Sequence, residues 1–408
     1  MTVAITAAAG AAACTNTAAA PDETGGWKTS WAVPMQQPST GFEPNWSLDG
    51  FADQTVRQVV RVRGGGTSAR ITLSNRYGKD GLRIAAATIG RTADGAGVQQ
   101  NSLRPLHFGG NDSVTIAPGA DITSDPAELR LAPADHATVT LYLAEKSGPA
   151  TFHAQGYAST YRAAGNHARD TEDTAFTDAT HSWYFLSDVE MTGGTGAAGS
   201  IVAFGDSITD GFGSDNDADN RYPDVLAERL AAAGTPRTVL NAGIGGNMIL
   251  SDSRWFGESA LHRFDRDVLA IGGVRTVVVL GGLNDIGFSE IDLPTYKPNP
   301  DVTVQQLIDG HRELIAHAHR AGLTVIGATL LPMKGAEYYN DKSAAKIRAL
   351  NDWIRDGGEY DAVVDFHGAV ADPADSERLN PAFDSGDHKH PNAAGYRAMA
   401  AAVDLRTL

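Results

Sequence analysis

The sequence predicts an α/β protein in two parts: an antiparallel β-sandwich of jelly-roll type over residues 26–191, and a three-layer α/β/α domain with a parallel sheet over residues 200–408. Three observations carry this. Before residue 190, short β-rich runs alternate apolar and polar residues and are broken by Gly, Pro, Asn and Asp, with no convincing 3.6-residue period between them. After residue 200, apolar runs alternate with helical segments. Residues 192–199, Thr-Gly-Gly-Thr-Gly-Ala-Ala-Gly, have almost no side chains to pack and read as a linker.

In the first part the strand candidates are residues 55–63, followed by Gly64-Gly65-Gly66, then 69–73, 82–89, 113–116, 138–143 and 182–186. Trp27, Trp31 and Trp46 read as core or interdomain packing ahead of sugar stacking, because large aromatics are mostly buried. In the second part the apolar runs are 201–204, 238–240, 276–280, 323–330 and 362–366. Helices are expected over 223–233, 304–321, 343–355 and 393–403. The first three stop at Gly234, Gly322 and Gly357-Gly358. Strict β/α alternation implies right-handed crossovers and a sheet covered on both faces.

Composition narrows the function. The 408 residues carry a net charge of −16, with −5 over the first 199 and −11 over the rest. An acidic chain gains nothing from counterion release, so nucleic acid is not an expected partner. The densest basic stretch, Arg57 to Arg63, alternates with Val and reads as the solvent face of a strand. The single cysteine, Cys14, excludes a disulfide framework and a thiolate metal site. Residues 1–25 read as a signal-like, lipoprotein-like or disordered segment, since Ala11-Ala12-Ala13-Cys14 is similar to a bacterial lipobox, although no basic residue precedes the apolar run. That predicts an extracytoplasmic protein, secreted or lipid-anchored through Cys14. No stretch has the 18 or more apolar residues of a membrane span.

Open parallel sheets bind ligands outside the carboxyl ends of their strands, so the strand exits are where chemistry belongs. The first exit reads Gly205-Asp206-Ser207, the second Asn241-Ala-Gly243-Ile-Gly245-Gly246-Asn247, the third Gly281-Gly282-Leu283-Asn284-Asp285. Asp384-Ser-Gly-Asp387-His388-Lys389-His390 precedes the last helix. Ser207 follows a strand and a glycine, which suits a nucleophile at a helix start and equally suits an N-cap. His390 is the candidate general base, and Asp387 three residues earlier is placed to hold its Nδ1–H. His388, next to Asp387, does not have that spacing. His311, His317 and His319 read as solvated or satisfied, and no metal site or cofactor is expected from them. The 243–246 glycines lack the third spaced glycine and the later acidic residue of a dinucleotide loop.

These four blocks, in this order, resemble the SGNH superfamily of GDSL-type esterases, and the wider context is similar to bacterial carbohydrate-esterase-like, acetylxylan-esterase-like members with an N-terminal β domain. The resemblance implies a flavodoxin-like sheet and a Ser207–His390–Asp387 triad. It also implies an oxyanion hole from the Ser207 backbone N–H, the Gly246 backbone N–H and the Asn284 amide, with Gly243 and Gly245 as alternatives to Gly246. Pre-aimed donors of this kind are worth about 3 kcal/mol each. The implied activity is hydrolysis of short acyl esters, especially O-acetyl groups on carbohydrate, with a small-molecule or polysaccharide ester as substrate. A lipase, phospholipase or acyltransferase would use the same residues, but the candidate substrate loops 247–256 and 331–339 are polar and aromatic rather than long apolar runs. A carbohydrate-binding protein with an inactive hydrolase domain is the alternative of another class.

Overall fold

Alternation in the strand Gln54–Arg61 sends Val56 and Val60 to one face and Thr55, Arg57 and Val59 to the other. In the computed structural model, which describes residues 26–194 and 199–408, that strand lies inside a two-sheet antiparallel sandwich. The segment with Cys14 and residues 195–198, half of the Gly-rich linker, lie outside the described residues. One sheet contains Asp178–Thr180, Thr160–Ala164, Gln54–Arg61, His136–Leu143, Ala86–Arg91 and Arg104–Leu106, in that order. The other is built on Gly66–Ser74, flanked by Leu186–Thr192 and Lys28–Ala32 on one side and Asp121–Thr123 and Ala127–Leu131 on the other. Val56, Val60, Val139 and Leu141 from the first sheet meet Ile71, Leu73 and Val189 from the second in one core. Trp31 and Trp46 are buried, and Trp31 sets its ring edge against Trp183 at 4.9 Å. Trp27 is half-buried, with the Arg70 guanidinium 4.6 Å over its ring.

The basic strand is not a solvent face, contrary to the sequence expectation. Arg57, Arg61 and Arg63 do point away from the core, but other segments cover that side. Arg57 is fully buried, donating to the carbonyls of Ala96, Asp170 and Glu172, with Phe176 stacked beneath it. Arg61 bonds Glu228 at 2.9 Å and Arg63 bonds Asp224, both in the second half of the chain. Period two tells which face a residue takes, not what later covers it.

The second half is a three-layer domain. The strands of its main sheet are β1 (Ser200–Gly205), β2 (Val239–Gly243), β3 (Val274–Leu280), β4 (Thr324–Ala328) and β5 (Ala362–Val364). All pair in parallel in the order β2-β1-β3-β4-β5, the flavodoxin-like order. β1 and β3 are near-continuous apolar runs because both faces of the sheet are covered. Its helices include α1 (Ser207–Asp210), α2 (Tyr222–Ala232), α3 (Leu283–Phe288), α4 (Val304–Arg320), α5 (Asp341–Asp356) and α6 (Ala393–Ala402). Thr303 with Gln306 and Asn340 with Ser343 form capping boxes at α4 and α5. Gly234 and Gly322 end α2 and α4 with φ of +77° and +73°, a region that favours glycine. α3, entirely buried, was not foreseen; it starts directly after Gly282 at φ +110°.

Candidate active site

The winding of the sheet reverses at β1, so the exits of β2, β1 and β3 open side by side, and the predicted residues stand there. Gly205 must be small: a Cβ would lie 2.4 Å from both the Leu280 carbonyl and Thr209 Oγ1. Asp206 caps α1 by accepting from the Ile208 N–H at 3.0 Å, leaving Ser207 as the first helical residue. Burial pushes the Asp206 carboxyl up to about 7, and its second oxygen has no partner among the described residues.

The loop before α6 brings His390 to Ser207. Ser207 Oγ and His390 Nε2 are 2.7 Å apart, and His390 Nδ1 and Asp387 Oδ2 are 2.6 Å apart. A carboxylate only accepts, so Nδ1–H donates to Asp387 and the Nε2 lone pair faces the serine hydroxyl. Asp387 Oδ1 also accepts from the backbone N–H of Lys389 and His390, at 3.1 and 2.9 Å. Burial alone would raise the Asp387 pKa, but the His390 hydrogen bond and charge hold it well below the usual carboxylate range. The Phe212 ring packs 4.4 Å from His390, and Tyr396 fixes that segment by donating to the Phe212 carbonyl at 2.5 Å. Ser207 and His390 are only 7% and 8% exposed, which strengthens every polar contact between them. His388 has a carboxylate of its own: Asp384 Oδ2 lies 2.7 Å from its Nδ1.

Two further candidate donors stand at the exits of β2 and β3. Gly246, at φ +73°, occupies a turn closed by Asn247 N–H to the Ile244 carbonyl, and the Phe256 ring lies where a Cβ would go, at 2.4 Å. The Asn284 amide on α3 gives one hydrogen to the Asn247 carbonyl at 2.9 Å and has a second. Asp285 accepts the Ile249 and Leu250 N–H groups, and burial raises its pKa to about 6. Gly243 and Gly245 are committed elsewhere, Gly243 N–H to Asn241 Oδ1 and Gly245 N–H to Asp210 Oδ2.

Several residues were missed. Arg263 is wholly buried beneath the strand exits, donating to the carbonyls of Gly205 and Ala242 and to Asn247 Oδ1, so it ties together the ends of β1 and β2 and the turn that holds Gly246. His153, from the sandwich, is also fully buried. It contacts the Pro34 carbonyl at 2.9 Å and Asp210 Oδ1 at 3.0 Å, and Asp210 in turn holds Gly245. Phe42 stacks on Phe256 at 5.4 Å, extending a ring cluster with Phe288 and Tyr296. Neither His153 nor Phe42 sits in a motif or a periodic run, so nothing in the sequence marks them. His311, His317 and His319 separate onto Tyr360, Asp265 and Asp361.

Residues 203–398 match the GDSL-like lipase/acylhydrolase family. No curated protein matches the chain. Similar solved structures include LAE5, an alpha/beta hydrolase enzyme from the metagenome of Lake Arreo, at 24% identity, covering 51% of this chain and 94% of that one with a TM-score of 0.40. The acetylxylan esterase Axe2 of Geobacillus stearothermophilus is 23% identical, with coverages of 52% and 94% and a TM-score of 0.40. A GDSL-like lipase of Bacteroides thetaiotaomicron is 19% identical, with coverages of 52% and 88% and a TM-score of 0.39.

Proposed function

Because its residues 203–398 belong to the GDSL-like lipase/acylhydrolase family, which makes the chain a GDSL-type hydrolase, we propose that it is a serine esterase acting on short acyl esters, foremost O-acetyl groups on carbohydrate. The observation that carries this reading is the unbroken contact from Ser207 Oγ through His390 to Asp387, at 2.7 and 2.6 Å. Ser207 Oγ attacks the ester carbonyl as its proton passes to His390 Nε2, and Asp387 stabilises the imidazolium. Negative charge on the former carbonyl oxygen is met by the N–H groups of Ser207 and Gly246 and the free Asn284 amide hydrogen. The ester C–O bond then breaks, the alcohol leaves with the proton from His390, and an acyl-Ser207 remains. Water attacks that ester by the same relay and restores the serine. The ring wall of Phe256, Phe288 and Tyr296 beside Gly246 supports a short acyl group.

On this reading the natural substrate is a small-molecule or polysaccharide ester met outside the cytoplasm, with the chain secreted or anchored through Cys14. Among the described residues no helix is long and apolar enough to cross a membrane. A chromogenic ester series from acetyl to long acyl, run with wild type and Ser207→Ala, tests the proposal. The expected result is an acetyl optimum and a loss of about 10⁴-fold or more in the variant. A long-chain optimum replaces this reading with a lipase. Equal rates in wild type and variant end the enzyme reading of Ser207.

A further inference from the structure

The side-chain amide of Gln155 is 3% exposed as a residue, and neither its Oε1 nor its Nε2 has a hydrogen-bond partner among the described residues. Buried amides are nearly always paired, because leaving both ends unmade forfeits the whole of their hydration. Gln155 belongs to the sandwich half, yet it lies against the oxyanion loop of the other half. A Cβ at Gly245 would fall 2.2 Å from Gln155 Oε1 and 3.0 Å from Phe42 Cε2, so only glycine admits this approach. Gly245 is the residue before Gly246, whose N–H faces the reacting oxygen under the proposed function. An amide with one acceptor and two donors therefore stands one residue from the reaction centre with nothing to bind. Phe42, beside it, is 46% exposed and has its ring stacked on Phe256 at 18°.

We propose that Gln155 and Phe42 form a subsite for the alcohol half of the substrate, which is a pyranose-like polyol. The inference rests on the esterase reading and assigns part of its specificity to the sandwich. A hydroxyl gives and takes a hydrogen bond and so matches both ends of an amide. An exposed aromatic face suits the C–H face of a sugar ring. Both side chains approach Gly245, so the proposal requires the exposed Phe42 ring to turn aside for a hydroxyl to reach the amide. The bound hydroxyls then offset the desolvation that the free protein leaves uncompensated.

The test compares kcat/KM for a mono-O-acetylated methyl pyranoside with kcat/KM for 4-nitrophenyl acetate, which offers no hydroxyl, using the full chain. In Gln155→Leu the ratio of pyranoside to nitrophenyl ester is expected to fall about tenfold or more, since a site built to pair with a hydroxyl discriminates strongly. Phe42→Ala, at an exposed position that does not endanger folding, is expected to raise KM for the pyranoside several-fold more than KM for 4-nitrophenyl acetate. A loss that is equal on both esters, as a purely structural role through Gly245 would give, overturns the subsite. So does a ratio left at its wild-type value in both variants, as a permanently bound water on the amide would give. Wild type that cleaves neither ester overturns the esterase reading, and the subsite with it. Wild type that cleaves both with an unmoved ratio overturns the subsite alone.

Discussion

The loop before α6 carries two aspartate–histidine pairs of nearly identical geometry, Asp387 with His390 at 2.6 Å and Asp384 with His388 at 2.7 Å. Their surroundings differ. His390 is nearly buried under Phe212 and has Ser207 Oγ at its free nitrogen. The His388 side chain is about half exposed, at φ +65°, and only its Nδ1 makes a hydrogen bond among the described residues. An oriented imidazole is thus not yet a general base. A hydroxyl within reach and exclusion of water make it one. Asp384 instead shapes the loop that delivers Asp387, because its Oδ1 accepts the Gly386 and His388 N–H groups at 2.8 and 3.0 Å.

Substitution separates the two pairs. His390→Ala is expected to cost about 10⁴-fold or more in kcat on 4-nitrophenyl acetate, whereas His388→Ala stays within about threefold; steady-state kinetics on the two variants reads the contrast. Asp387→Asn, which keeps the shape and removes the charge, is expected to lower kcat by about 10³–10⁴-fold. Asn284→Ala retains the relay and removes an oxyanion donor, for a loss of about 10²-fold or more in kcat with little change in KM. Asp384→Asn acts only through the loop, and a fall of about tenfold or less separates its role from that of Asp387.

The smallest effect is on stability and concerns pH. The folded pKa of Asp206 is raised, to about 7, so its contribution favours the folded state at low pH and is lost as pH rises from about 4 through 7. Asp219 works in the opposite sense: burial alone would raise it, but His136, Arg221 and Arg63 hold it down to about 2, so its contribution is present above pH 4 and lost as pH falls toward 2. Denaturant titrations across pH 4–8 should show Asp206→Asn flattening the decline on the alkaline side, while Asp219→Asn leaves that limb in place and lowers stability by a nearly constant amount across the range.

Much of this was legible in the sequence for local reasons. Glycine-marked strand exits announce a parallel sheet, and the spacing from Asp387 to His390 foretells which carboxylate meets which ring. Gly234 and Gly322 mark helix ends because chirality requires it. The burial of Arg57, by contrast, depends on carbonyls 39 to 115 residues away. Arg263, His153 and Gln155 act across β1, β2 and the boundary between the two halves, and such contacts have no periodicity to betray them. Asp384 escaped notice because its partner His388, four residues on, reads in the sequence only as a rival to His390 with the wrong spacing from Asp387.

At the boundary between the halves three ionised groups, Arg63, Arg221 and Asp224, are nearly excluded from water, and the exposed Asp217 adds a contact at the rim. Arg63 and Arg221 share Asp224, and Arg221 also donates to the Gly156 carbonyl at 3.1 Å. Ser159 grips Asp217 with its N–H and its hydroxyl, at 2.6 Å each. Parting the halves would break the buried Arg63–Asp224 pair and the Arg221 hydrogen bond to the Gly156 carbonyl, and would open that seam to water. The sandwich and the hydrolase domain are consequently bound into one cooperative melting unit. A calorimetric scan should give a single endotherm in the wild type, and Arg221→Met should split it in two.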